Sequence, residues 1–346
     1  MRVLAIDLMK ICSIFLVIVS HVTLFFLSRD SSDVWLYFFR QAGQLGVSVF
    51  FMCSGYFLLN NKRGDQAEYV FAKIRKISFV LAFWLCFYYL YDQYFIGRFT
   101  AIESIGLLNF FNISKTASEA THLWFIFSII ALYVLTPLLH GSFAAQNRTG
   151  IARVLVAMLV ISNLTLVNAV TDHLFGFVAV PFNILLPFQA EGLLSFLIGG
   201  YLSLSKVGAA DSKNRVGLVL LFVISFSVLS AVSHEVGMTF FYGKFYNLLL
   251  QLSAVSFFLL GLGLRLEKLP PLVTEISNNV LGIYLVHNIF VVEIHGGFIH
   301  QAILAFVGGL NRYVYIVIYS LLSFILSFLL CVLLRRSGTL ARLITL

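Results

Sequence analysis

Apolar residues recur along this chain in runs of about twenty, separated by short polar stretches from one end to the other. A helix needs about 20 mostly apolar residues to cross the hydrocarbon core of a bilayer. Runs of that length predict ten crossings, at 11–28, 45–60, 77–96, 122–140, 151–170, 183–205, 216–233, 245–264, 271–293 and 313–334. The second is short. The sixth contains Pro187 and Glu191 and is expected to be broken or re-entrant, which is tolerated only against protein or water. The expected fold is all-α: a polytopic integral membrane protein with a single membrane-embedded domain over 1–346, since no linker, low-complexity tract or internal repeat divides it.

Composition agrees. Of 346 residues 60% are apolar and only 11% charged, against about 25% charged in soluble domains, so the chain has too little polar surface to cover itself in water. Cys12, Cys53, Cys86 and Cys331 all lie inside apolar runs with no metal-ligand spacing, which predicts small buried hydrophobes and no metal. The formal charge of +8 comes without a basic helix or an aromatic-basic motif and predicts no nucleic-acid partner. It reads as topology. With the N-terminus in the cytoplasm and sides alternating, 17 of the 23 Lys and Arg residues fall inside. Only Arg29, Arg40, Arg98, Lys115, Lys244 and Arg312 fall outside. That bias puts both termini in the cytoplasm. The first segment has a basic start but no small-residue cleavage site, so it is expected to remain as a helix.

Ionisable groups at membrane depth are expensive and mark function by default. Asp7, Lys10 and His21 are three and eleven residues apart. At 100° per residue they share one helical face, with Lys10 and His21 about 16 Å apart along the axis. They would line one wall of a shaft; a Lys snorkelling inward and a His at the outer interface is the plainer alternative. Ser54-Gly55-Tyr56 closes the second apolar run, where small residues let backbones approach. Lys73, Arg75 and Lys76 precede the third, either as a phosphate site or as the ordinary inside anchor. His122 and Trp124 open the fourth, with Tyr133 and Pro137 further along. Tyr284 and His287 are i, i+3 neighbours in an otherwise apolar stretch, where a helix–helix hydrogen bond would also account for them.

In order, these pieces resemble the acyltransferase-3 family of membrane O-acyltransferases over nearly the whole chain. The resemblance rests on Asp7-x-x-Lys10 and then His21, on Phe50-Phe51-x-x-Ser54-Gly55-Tyr56, on the basic cluster Lys73, Arg75 and Lys76, on Trp124, Tyr133 and Pro137, and on Tyr284-x-x-His287. Two departures stand out. Lys10 replaces the family's Arg and cannot clamp a phosphate bidentately. Ile129 and Ile130 stand where many members carry Glu-Glu, which removes the obvious carboxylate partner of His21. His-Leu-Trp-Phe-Ile-Phe and Leu-Gly-Ile-Tyr-Leu-Val-His look more like the branch of the enterobacterial common antigen O-acetyltransferase.

The resemblance implies a bacterial inner-membrane enzyme moving an acetyl group from cytoplasmic acetyl-CoA to a sugar hydroxyl on a cell-surface or lipid-linked glycan. Lys10 and Arg75, with Lys73, would hold the CoA phosphates, and Asp7 would position Lys10. His21 would be the general base. Tyr284, His122 and Ser54 are candidates to stabilise the oxyanion; Tyr56, Trp124 and His287 are motif residues. The same polar shaft without chemistry would suit a transporter or flippase for a lipid-linked sugar, which has no need of CoA. A glycan polymerase or ligase would need a large Arg-bearing outer loop, and none is expected.

Overall fold

The computed structural model describes residues 3–28, 30, 32–60, 66–94, 119–145, 147–177, 192–204, 212–236, 244, 247–296 and 311–345. Among these the regular structure is helical throughout: α1 (Leu4–Leu27), α2 (Val34–Leu58), α3 (Gln66–Tyr94), α4 (Trp124–Ala144), α5 (Arg148–Phe175), α6 (Leu193–Leu204), α7 (Ser212–Val236), α8 (Leu248–Leu262), α9 (Pro271–Asn278), α10 (Val280–Gly296), α11 (Arg312–Arg335) and α12 (Gly338–Ala341). A 3₁₀ turn, Glu119–Leu123, leads into α4. Short polar side chains start several helices by accepting an N–H that has no helical partner: Asp33 from Trp35, Asn247 from Leu249 and Asn311 from Tyr313. Among the described residues four helices are long and apolar enough to cross a membrane: α1, α4 with the end of its leading turn, α7 and α11.

The packing is turned inside out relative to a soluble protein. On α11, Val317, Leu321, Ile325, Leu329 and Leu333 form an i, i+4 stripe on the exterior, while Ser320, Ser323 and Ser327 are sealed inside. Val216, Val219, Leu220, Val223 and Ile224 likewise cover the exterior of α7. An apolar exterior of this extent suits lipid, where helices associate through small and polar residues.

Helices α1 and α2 form the centre. Helix α2 packs on α1, α4, α6, α7 and α8, and α1 also meets α10 and α11. Glycines set the closeness of these crossings. A Cβ on Gly46 would strike the Ser13 carbonyl of α1, one on Gly55 the Phe196 carbonyl of α6, and one on Gly199 the Met52 carbonyl of α2. The Ser54-Gly55-Tyr56 motif is therefore a backbone contact as well as a hydroxyl site.

Several expectations change. Helix α3 begins at Gln66 instead of 77, so Lys73, Arg75 and Lys76 lie inside it instead of preceding it. Helix α2 begins at Val34 instead of 45, because Asp33 caps it there; Arg40 is thus no outer-loop cation but a helical residue 4% exposed. The ninth run is not one helix: it divides at Asn279 into α9, which buries none of its residues, and α10. Helix α1 starts at Leu4 and takes Asp7 into its first turn. Pro187 and Glu191, with the break expected there, lie outside the described residues.

Candidate active site

One end of the site is cationic. Lys10, one turn into α1, pairs with Asp7 at 3.8 Å and lies over the Phe57 ring of α2 at 5.3 Å. Lys73 of α3 lies over Tyr69 at 5.1 Å. Both lysines line a cavity of about 270 Å3 that also takes in Ser54, Tyr133 and Tyr284. Its remaining walls are apolar, including Cys53, Phe125 and Ile129. Ser54 and Tyr133 both line it, so two motif residues far apart in sequence meet at the cavity wall. Ile129 stands where many members of the resembled family have an acid, and here that wall is apolar.

The other end is a cluster of rings. The Tyr284 ring is 5.6 Å from His122 and 5.9 Å from His287. His122 is 5.1 Å from His287 and His287 is 5.2 Å from His21, both edge to face. Tyr284 thus joins the cavity to three histidines drawn from α1, the 3₁₀ turn and α10. Its hydroxyl donates to the His122 carbonyl. Tyr88 of α3 stands 5.0 Å from His122 and donates to the Leu285 carbonyl at 2.7 Å, which ties α3 to α10 behind the cluster.

The tautomer of His287 follows from its partner. The Tyr284 carbonyl can only accept, so Nδ1 of His287, 2.6 Å away, carries the hydrogen. In the neutral ring Nε2 is then a lone-pair acceptor; it is buried, with no hydrogen-bond partner among the described residues. His122 and Tyr284 are also buried, whereas His21 is partly exposed. His21 does not line the cavity; it is reached from it across Tyr284 and then His287. Among the described residues no group of three His, Cys, Asp or Glu side chains could hold a metal ion.

Not every expected residue joins. Arg75 is exposed and does not line the cavity. Tyr56 packs on Phe258 at 6.0 Å, away from the cavity lining, and Trp124 packs at 6.2 Å on Phe125, which lines it. Sequence reasoning missed Tyr88, for which nothing in the pattern signalled a role. It also missed Arg40, which did leave a signal: Tyr37, Gln41, Gln44 and Ser48 recur at helical spacing just beside it, the mark of a polar face continuing outward from the second apolar run.

Comparison with curated proteins returns no match, and neither does comparison with solved structures. The model of one family, the acyltransferase domain of the acyltransferase-3 type, matches residues 3–334. That span holds the cationic cavity, the ring cluster and every motif residue described above, and the chain belongs to the acyltransferase-3 family.

Proposed function

We propose that this protein is a membrane O-acetyltransferase, taking the acetyl group of cytoplasmic acetyl-CoA to a sugar hydroxyl on a cell-surface or lipid-linked glycan, as in the branch of the enterobacterial common antigen O-acetyltransferase. On this reading it crosses the bacterial inner membrane about ten times with both termini in the cytoplasm. The observation that carries it is the cavity lined by Lys10 and Lys73 and by Tyr284, whose ring touches the histidine cluster. At about 270 Å3 it falls just under the roughly 300–1,000 Å3 of pockets that swallow a drug-sized ligand. It suits a thin thioester arm, with the nucleotide left at the mouth. Two ammonium groups there match the diphosphate as point charges.

The chemistry follows from the cluster. His21, the partly exposed member, takes the proton of the acceptor hydroxyl. The oxygen attacks the thioester carbonyl, the C–S bond breaks, and the departing thiolate recovers the proton from the His21 imidazolium. Among the candidates for the oxyanion, Tyr284 and Ser54 line the cavity; the Tyr284 hydroxyl, whose ring also touches the histidines, must release the His122 carbonyl before it can donate to the oxyanion. His287, with its hydrogen held at Nδ1, presents a lone pair toward the cluster in place of the absent carboxylates.

The test uses the full-length protein in membrane vesicles with acetyl-labelled acetyl-CoA. Wild type should pass label to membrane glycan, and mass spectrometry should find one acetyl unit added. His21→Ala should accumulate normally and transfer none. Label transfer persisting in His21→Ala would remove that residue from the mechanism, and no transfer by wild type would favour a transporter.

A further inference from the structure

Arg40 has no place in the chemistry above, yet it is a guanidinium buried to 4% exposure in the helix beside the base. Its Nη1 donates to the Ser20 carbonyl at 3.0 Å and to Ser20 Oγ at 2.8 Å. Ser20 Oγ donates in return to the Arg40 carbonyl at 2.8 Å. Three hydrogen bonds thus fix the residue that immediately precedes His21. Gly43, one turn along α2, makes room for Ser20, because a Cβ there would overlap the serine side chain. The clasp is anchored from behind: Gln44 donates to Gln41, and Gln41 donates to Ser233 of α7 at 2.8 Å. Buried polar contacts therefore join α2 to α7 at Gln41 and to α1 at the neighbouring Arg40, through Ser20 beside His21.

A clasp between two helices does not require a charge. The serine hydroxyl on the Arg40 carbonyl would already join them, and a cation at membrane depth is costly to keep. What does require a positive charge is the negative oxygen that forms when the acceptor hydroxyl attacks. The guanidinium is bonded to the residue next to His21, while the His287 ring of α10 packs on His21 at 5.2 Å and His122 of the 3₁₀ turn lies 5.1 Å from His287.

We propose that Arg40 is a positioning residue for the transfer reaction: it holds the Ser20–His21 backbone against α2 and keeps a fixed positive charge at the residue next to His21. This rests on His21 being the base.

The experiment compares Arg40→Gln, Arg40→Lys and Ser20→Ala in full-length protein in vesicles, with labelled acetyl-CoA as the probe and turnover normalised to folded protein. Misplacing a reacting group by about 1 Å costs about 100-fold in rate, so Arg40→Gln should lose about that much kcat while the KM for acetyl-CoA stays put. Arg40→Lys keeps the charge and should recover roughly ten-fold of the loss. Ser20→Ala should lower kcat less, and adding it to Arg40→Gln should cost nothing further, since both act through one contact. A structural role alone would instead reduce the amount of folded protein at unchanged turnover per molecule. That result, or wild-type kcat in Arg40→Gln, overturns the proposal. If Arg40→Gln does not accumulate, Ser20→Ala decides: wild-type kcat there overturns it, and reduced kcat at constant KM supports it. His21→Ala keeps the two readings apart. If it remains active the base assignment has failed, and if it is dead while Arg40→Gln turns over normally only the role of Arg40 has.

Discussion

Lys73 and Arg75 belong to one basic cluster, but the fold gives them different work. Two residues on a helix differ by about 200° in azimuth, so with Lys73 on the cavity wall Arg75 faces away, and it is exposed. Lys73→Gln removes a cation that lies over the Tyr69 ring on the cavity wall. A hydrogen bond to a charged group contributes about 1.5–3 kcal/mol, and about 1.4 kcal/mol is a factor of ten. The KM for acetyl-CoA should therefore rise roughly ten- to hundred-fold, taking binding as near equilibrium. Arg75→Gln removes an exposed charge, and exposed pairs contribute little, so its KM should change by a few-fold at most. Initial rates against acetyl-CoA at low and high salt separate the two. At about 1 M salt the screening length is about 3 Å; any Arg75 effect should vanish, while the Lys73 effect, made in a partly enclosed wall, should persist. Equal KM values in wild type and Lys73→Gln, or a larger rise in Arg75→Gln, would refute this placement of the donor.

Gly55→Ala should destabilise the protein by about 1–3 kcal/mol, because the new Cβ falls on the Phe196 carbonyl; thermal unfolding in detergent checks it, and Gly217→Ala, whose Cβ meets nothing, is the control. Ser32 hydrogen bonds and the Arg312 guanidinium hold the Asp30 carboxyl at about 2, below its usual 3.8. Its folded value is depressed, so its stabilisation is complete above pH 3.8 and is lost as pH falls toward 2; wild type should lose more thermal stability over that window than Asp30→Asn. Accessibility tags at both termini and at residues 64 and 210 should report the cytoplasmic side, and one at 115 the opposite side; finding 64 and 115 together would break the ten-crossing topology.

Much of the site was legible because its residues violate the solvent they sit in. Lys10, His21 and His287 are polar groups inside apolar runs, and the structure brings all three to the cavity or its histidine cluster. Helical spacing gave Asp7 its pairing with Lys10 but could not say which way α3 turns, so Lys73 and Arg75 were indistinguishable. The meeting of Ser54 with Tyr133, and of His122 with Tyr284, joins positions 79 and 162 apart in sequence. Only tertiary packing decides such pairs.

Arg40 exposes the general reason the rest stayed hidden. Hydropathy recognises a helix by what it offers to lipid, and α7 and α11, which cover themselves with Val, Leu and Ile, pass that test. A helix at the centre of a bundle is screened from lipid by its neighbours and is free to carry polar groups, provided each finds a partner. Helix α2 is that case: Arg40, Gln41 and Gln44 interrupt its apolar run, so the apparent crossing begins eleven residues late. Yet those side chains are buried and bonded to Ser20, Ser233 and each other. Loss of apolar signal inside a capped helix therefore points toward the protein interior and not toward water. The stretch that hydropathy assigns to a loop is the one that bonds to Ser20, the neighbour of His21.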